Sequence, residues 1–149
     1  MNILIVEDDS FKFAEIKNFI IKNGVPEEAI ILKQAVADTV EFLNSYSPDK
    51  IILDMSLPSH VAELGEGTPL GLTSGGMEVI RELSYLGKVN IPIIILTQYP
   101  QIQINNDYYP ISDVAKVITD KFNFKSLIVD EFDDDSSHWK NSTKRFLQQ

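Results

Sequence analysis

Asp54 closes the apolar run Ile51-Ile52-Leu53, and an acidic cluster, Glu7-Asp8-Asp9, closes an earlier run, Asn2-Ile3-Leu4-Ile5-Val6. Short runs of branched apolar residues read as buried strands, so both groups of acids stand at the C-terminal ends of strands. In an open parallel sheet that is where ligands bind, in the crevice outside the carboxyl ends. Adjacent strands would bring these carboxylates together there. Clustered carboxylates repel one another unless a cation sits among them, and oxygen-only ligands select a hard ion such as Mg²⁺. The residues therefore describe a divalent-metal site with one carboxylate placed to do chemistry.

The elements that must position those acids alternate along the chain. The expected strands are Asn2–Val6, Ala29–Lys33, Lys50–Asp54, Ile91–Thr97 and Ser126–Phe132. Between them lie helix-period segments. The first runs from an N-cap at Ser10 to Asn23, with Phe13, Ile16, Phe19 and Ile20 on one face and Gly24 ending it. Val36, Val40 and Leu43 mark the second, which stops before Ser47-Pro48 because proline disfavours a helical residue ahead of it. Gly76–Leu86, Ser112–Phe122 and Ser136–Leu147 complete the set, the last with Trp139 and Phe146 on one face. Two stretches have no regular period: a Gly/Pro-rich loop over Ser56–Ser74, interrupted at Pro58, Gly65–Gly67 and Pro69–Gly71, and the segment Gln98–Pro110. Loops of that length inside a domain are more often functional than incidental. Strict alternation of strands and helices predicts an α/β, doubly wound, five-stranded parallel sheet of flavodoxin-like order 2-1-3-4-5. Two helices should cover one face and three the other. In that order Glu7, Asp8 and Asp54 share the switch-point crevice.

Composition narrows the function classes. The 149 residues fit one domain over 1–149, with no attached effector domain expected. There is no cysteine, which excludes a thiolate ligand or nucleophile. A net charge of −9 argues against direct nucleic-acid binding, which relies on basic side chains neutralising phosphates. No apolar stretch approaches the roughly 18 residues that span a bilayer, so no membrane partner is expected and the location expected is cytoplasmic. Part of the negative charge is local, at Glu131, Asp133, Asp134 and Asp135, and reads as a solvated loop.

Four motifs in this order and spacing resemble the receiver domain of two-component response regulators: Ile3-Leu4-Ile5-Val6-Glu7-Asp8-Asp9, Ile51-Ile52-Leu53-Asp54-Met55-Ser56-Leu57-Pro58, Gly75-Gly76-Met77-Glu78-Val79-Ile80 and Pro92-Ile93-Ile94-Ile95-Leu96-Thr97. The resemblance covers nearly the whole chain. It implies that Asp54 accepts a phosphoryl group from a histidine kinase or phosphotransfer protein and that an output protein reads the result. It further implies Mg²⁺ held by Asp8, by Asp54 and by the backbone carbonyl of Ser56, with Glu7 acting through water. Thr97 becomes the hydroxyl that meets the phosphoryl group. A carboxylate attacking phosphorus is an anion approaching an anion, so a cation is required, and positioning and charge neutralisation carry most of the effect.

One part of the family pattern is missing. Receivers carry a lysine at the end of strand five, usually followed by proline, that pairs with the phosphoryl group. Here that strand ends Val129-Asp130-Glu131-Phe132-Asp133, and Lys121 reads as a surface residue of the preceding helix. A divergent subgroup is implied, in which phosphorylation biases the conformation less than usual. Two other readings stay open: a pseudo-receiver that binds partners without a phosphorylation switch, and a Mg²⁺-dependent phosphohydrolase of the haloacid dehalogenase type. Against the second stands Ser56, two residues after Asp54, where those hydrolases place a second aspartate. Catalysis extends at most to self-phosphorylation and slow autodephosphorylation. His60 reads as a solvent-facing loop residue, His138 as exposed, and Tyr99, Tyr108 and Tyr109 as a partner surface or a cap on the core edge.

Overall fold

The computed structural model describes residues 1–67, 71–133 and 137–149. In chain order its elements are β1 (Ile3–Val6), α1 (Ser10–Lys22), β2 (Ile30–Lys33), α2 (Val36–Ser45), β3 (Lys50–Leu53), β4 (Leu57–Pro58), β5 (Gly71–Leu72), α3 (Gly75–Tyr85), β6 (Ile93–Thr97), β7 (Gln101–Ile104), β8 (Asp107–Pro110), α4 (Ile111–Phe122), β9 (Leu127–Glu131) and α5 (His138–Leu147). The main sheet is parallel and ordered β2-β1-β3-β6-β9, which is 2-1-3-4-5 when its own strands alone are counted.

Side chains on successive strand residues point to opposite faces, and the branched runs use both. Leu4, Val6, Ile51, Leu53, Ile93 and Ile95 face a core closed by residues of α2, α3 and α4, among them Leu43, Ile80 and Ile118. Ile3, Ile5, Ile52, Ile94 and Leu96 face a second core closed by Ile16 and Ile20 of α1 and Trp139 and Phe146 of α5. Each fully buried aliphatic side chain contributes about 1.5–3 kcal/mol. The cores therefore fix the strand register firmly, and the register matters for the site. Val6 pairs with Leu53 and Leu53 with Ile95, so β1 and β3 end at the same level.

Several sequence expectations shift. Asp9, not Ser10, caps α1, its carboxylate accepting from the backbone N of Lys12 at 3.0 Å. The stretch Gln98–Pro110 is not irregular: β7 and β8 form an antiparallel hairpin turning at Asn105, which sits at φ 59 in the left-handed region. The long loop after Asp54 is pinned by pairing of β4 with β5, Leu57 opposite Leu72. A 3-10 turn over Glu27–Ala29 takes the first residue expected of β2. Pro69 of the long loop, Asp134 and Asp135 of the acidic run, and the expected helix start at Ser136 lie outside the described residues.

Candidate functional site

Glu7 and Asp54 stand one residue beyond the paired ends of β1 and β3, and the two strands lock them there. The backbone N of Asp54 donates to Val6 O at 3.0 Å, and that of Glu7 donates to Lys33 O at 3.0 Å. Carboxylate oxygens of Glu7, Asp8 and Asp54 lie within 4.8 Å of one another. They line a cleft of about 180 Å³ with Asp9, Ser56, Gln98 and Tyr99. Gly76, in the first turn of α3, lets that helix approach: its backbone N donates to Met55 O at 2.9 Å, and a Cβ there would sit 2.5 Å from Asp54 O. The Gly75-Gly76 pair is thus part of the scaffold that holds Asp54.

The site does contain a lysine. Lys12, in the first turn of α1, is 1% exposed and extends its ammonium beneath the cluster. Its Nζ lies 2.9 Å from Glu7 Oε1 and 3.0 Å from Asp54 Oδ1, and donates to Leu96 O at 2.6 Å. The end of β9 carries no lysine, as the sequence indicates, and the ammonium beside Asp54 comes from α1 instead. At that end Phe132 is buried, and its ring centroid lies 5.4 Å from Lys12 Nζ. Lys121 is exposed at the end of α4, as the sequence suggests. The signal for Lys12 was available, since Lys12, Ile16 and Ile20 recur every four residues and all three are buried.

Electrostatics follow from this crowding. Burial pushes the Glu7 carboxyl up from 4.5 to about 8, against the pull of Lys12 and with the charge of Asp54 adding to the rise. Asp8, at the open mouth, is raised by burial and by the neighbouring charges of Asp54 and Asp9, with its own backbone hydrogen bond opposing. Asp54 itself is 7% exposed. Its Oδ1 accepts from Lys12 Nζ and from the backbone N of Met55 at 2.9 Å. Among the described residues Oδ2 accepts no hydrogen bond, while no fully buried side-chain oxygen lacks a partner, so Oδ2 is the oxygen left open to the cleft.

The remaining candidates fall into place unevenly. Ser56 lines the cleft. Thr97 ends β6 fully buried, and its Oγ1 accepts from the backbone N of Tyr99 at 3.1 Å, with no bond to a site carboxylate among the described residues. His60 is partly exposed and bridges Ser59 Oγ at 2.9 Å and Glu66 Oε2 at 2.7 Å. His138 is largely exposed but ties α5 to β9 through Asp130, with Nδ1 2.7 Å from Oδ2. Of the tyrosines, Tyr99 borders the cleft, and Tyr99 and Tyr108 are exposed near each other along a groove with Thr73 and Gln103.

The donor set fits a hard divalent cation. Every candidate ligand is oxygen, and the carboxyl groups of Glu7, Asp8 and Asp54 gather around a cleft with one ammonium beside it. No helix among the described residues is long and apolar enough to cross a membrane.

Comparison with known proteins agrees with this geometry. No protein-family model matches the chain. It is 42% identical over 150 residues to the Detocs response regulatory protein DtcB of Vibrio alginolyticus, covering 98% of this chain and 99% of that one. The uncharacterized protein y4jS of Sinorhizobium fredii is 31% identical over 96 residues, 64% of this chain and 22% of that protein. Among solved structures, the receiver domain of NtrX from Brucella abortus aligns with a TM-score of 0.62 at 12% identity, covering 99% of both chains. The receiver domain of sensor histidine kinase PA1611 from Pseudomonas aeruginosa, with a magnesium ion in its active-site cleft, aligns with a TM-score of 0.59 at 19% identity, over 99% of this chain and 93% of that one. Sequence relative and fold agree, and this chain belongs to the response regulator receiver family.

Proposed function

We propose that residues 1–149 act in the cytoplasm as one receiver domain, which accepts a phosphoryl group on Asp54 from a histidine kinase or phosphotransfer protein and passes the signal on through protein contacts. The observation that carries this reading is the division of labour on Asp54. One oxygen is held by Lys12 and Met55 N, and the other is open to a cleft ringed by acids. In the transfer, Asp54 Oδ2 supplies an electron pair to phosphorus while the P–N bond to the donor imidazole breaks. The imidazole leaves with that bond's electrons and takes up a proton from solvent. Asp8, Asp54 and the Ser56 carbonyl are the groups to hold Mg²⁺ directly, with Glu7 acting through water. When bound, that ion neutralises charge on the phosphoryl oxygens. Thr97 Oγ1 accepts from Tyr99 N, which leaves its O–H proton to donate to the new group.

Two residues argue against rapid turnover. Ser56 has no carboxyl to activate water, and Glu7 is shielded at 2% exposure and held by Lys12. The product is therefore a signal that decays slowly rather than an intermediate in hydrolysis. The reading is tested by incubating the protein with acetyl phosphate and Mg²⁺, trapping the acyl phosphate with borohydride and mapping the modified residue. A single adduct at Asp54 supports it, whereas an adduct elsewhere or none overturns it.

A further inference from the structure

The ammonium of Lys12 has a full set of partners before any phosphoryl group arrives. Glu7 Oε1, Asp54 Oδ1 and Leu96 O lie at 2.9, 3.0 and 2.6 Å and account for its three protons. A buried lysine is held there only by such partners. Its backbone is fixed as well, because Asp9 caps α1 directly on the N of Lys12. The position at the end of β9 from which a cation could otherwise enter is filled by Phe132, whose backbone N donates to Thr97 O at 2.8 Å and whose ring packs on Trp139.

We propose that Lys12 is the catalytic cation of this receiver: it pairs with the phosphoryl group on Asp54, entering from the first turn of α1 in place of a lysine at the end of β9. This rests on the reading of Asp54 as phospho-acceptor and goes beyond it by assigning the charge partner to a different element. The geometry is direct. Nζ already touches Asp54 Oδ1, so a phosphoryl group on Oδ2 of the same carboxyl arrives beside it. The dianionic group outcompetes the neutral carbonyl of Leu96 for one of the three protons. Leu96 immediately precedes Thr97, so this exchange loosens the end of β6 at the residue whose hydroxyl donates to the phosphoryl group. Occupancy of Asp54 is thereby sensed by α1 and β6 rather than by β9.

The experiment compares wild type, Lys12→Met, Lys12→Gln and the double variant Lys12→Met/Phe132→Lys. Each is treated with acetyl phosphate and Mg²⁺, and the acyl phosphate is followed by intact mass, with a thermal melt of each protein alongside. The wild type should become phosphorylated. Lys12→Met and Lys12→Gln should lose on the order of tenfold to a hundredfold in phosphorylation rate, the range expected for one charge-assisted hydrogen bond. The double variant returns a cation to the site from β9 and should recover most of that loss. Lys12→Gln keeps a donor for Leu96 O, so it serves where Lys12→Met does not fold. Recovery in the double variant without recovery of the melting temperature separates charge pairing from packing. If folded Lys12→Gln is phosphorylated at the wild-type rate, or if the double variant folds and recovers nothing, the assignment of Lys12 falls while Asp54 stands. If the wild type takes no phosphoryl group, both fall.

Discussion

Replacing Gly76 by alanine tests whether the close approach of α3 to β3 holds Asp54 in place. A Cβ at Gly76 would lie 2.5 Å from Asp54 O, 2.9 Å from Met55 Cα and 2.9 Å from Met55 Cε. Non-bonded carbon contacts are favourable only at about 3.5–4.0 Å, so roughly 1 Å of separation has to be found. The methionine methyl can swing away, but the other two atoms are backbone of the segment that carries the phospho-acceptor. Overpacking of this kind costs about 1–3 kcal/mol. Alanine returns up to about 1 kcal/mol through helix propensity, although the first turn returns less than an interior position. A net loss of about 1–2 kcal/mol in urea unfolding is expected. The functional loss should be larger, because displacing a reacting group by about 1 Å can cost on the order of a hundredfold in rate. Gly67 is the control: a Cβ there meets nothing within 4 Å, so Gly67→Ala should change stability by less than about 0.5 kcal/mol and leave phosphorylation unchanged. Gly76→Ala with wild-type stability and wild-type phosphorylation would refute the reasoning.

Other perturbations have signs fixed by the structure. Glu7 is raised from 4.5 to about 8, so between those pH values the folded protein holds a proton that the unfolded chain has released. In EDTA, stability should therefore fall as pH rises from about 4.5 to about 8, by a few kcal/mol. Glu7→Gln should flatten that slope, and a thermal melt series across the range reads it. Asp130 accepts from Ser142 Oγ at 2.5 Å and from the backbone N of Glu131 at 2.8 Å, and it pairs with His138. Asp130→Ala should cost about 1–3 kcal/mol in urea unfolding while leaving Asp54 open to phosphorylation. An unchanged unfolding midpoint would show that this cluster does not fasten α5 to the sheet.

The parts of the site that could be read from the sequence are those a strand delivers. An apolar run ended by an acid, four residues over Ile3–Val6 and three over Ile51–Leu53, puts Glu7 and Asp54 at the ends of two strands, and the alternation of elements made those strands neighbours. Lys12 was harder because an isolated lysine in a helix usually lies on the solvated side. Its spacing with Ile16 and Ile20 set it on the buried face all the same. The hairpin of β7 and β8 was missed for a different reason. Gln101-Ile102-Gln103-Ile104 alternates as a half-buried strand does, and Asn105 accepts the left-handed turn, but Pro100 and Pro110 at either end read as loop. Thr97 could be placed but not oriented, since the hydrogen bond from Tyr99 N depends on how the chain leaves β6.

The central claim is that Asp54 takes a phosphoryl group in a reaction that needs a divalent cation in the acidic cleft. The most direct measurement is the intact mass of wild type and of Asp54→Asn after acetyl phosphate, each in Mg²⁺ and in EDTA. One added phosphoryl group is expected on the wild type in Mg²⁺ and none in the other three samples. Equal labelling in EDTA, or labelling of Asp54→Asn, would contradict it.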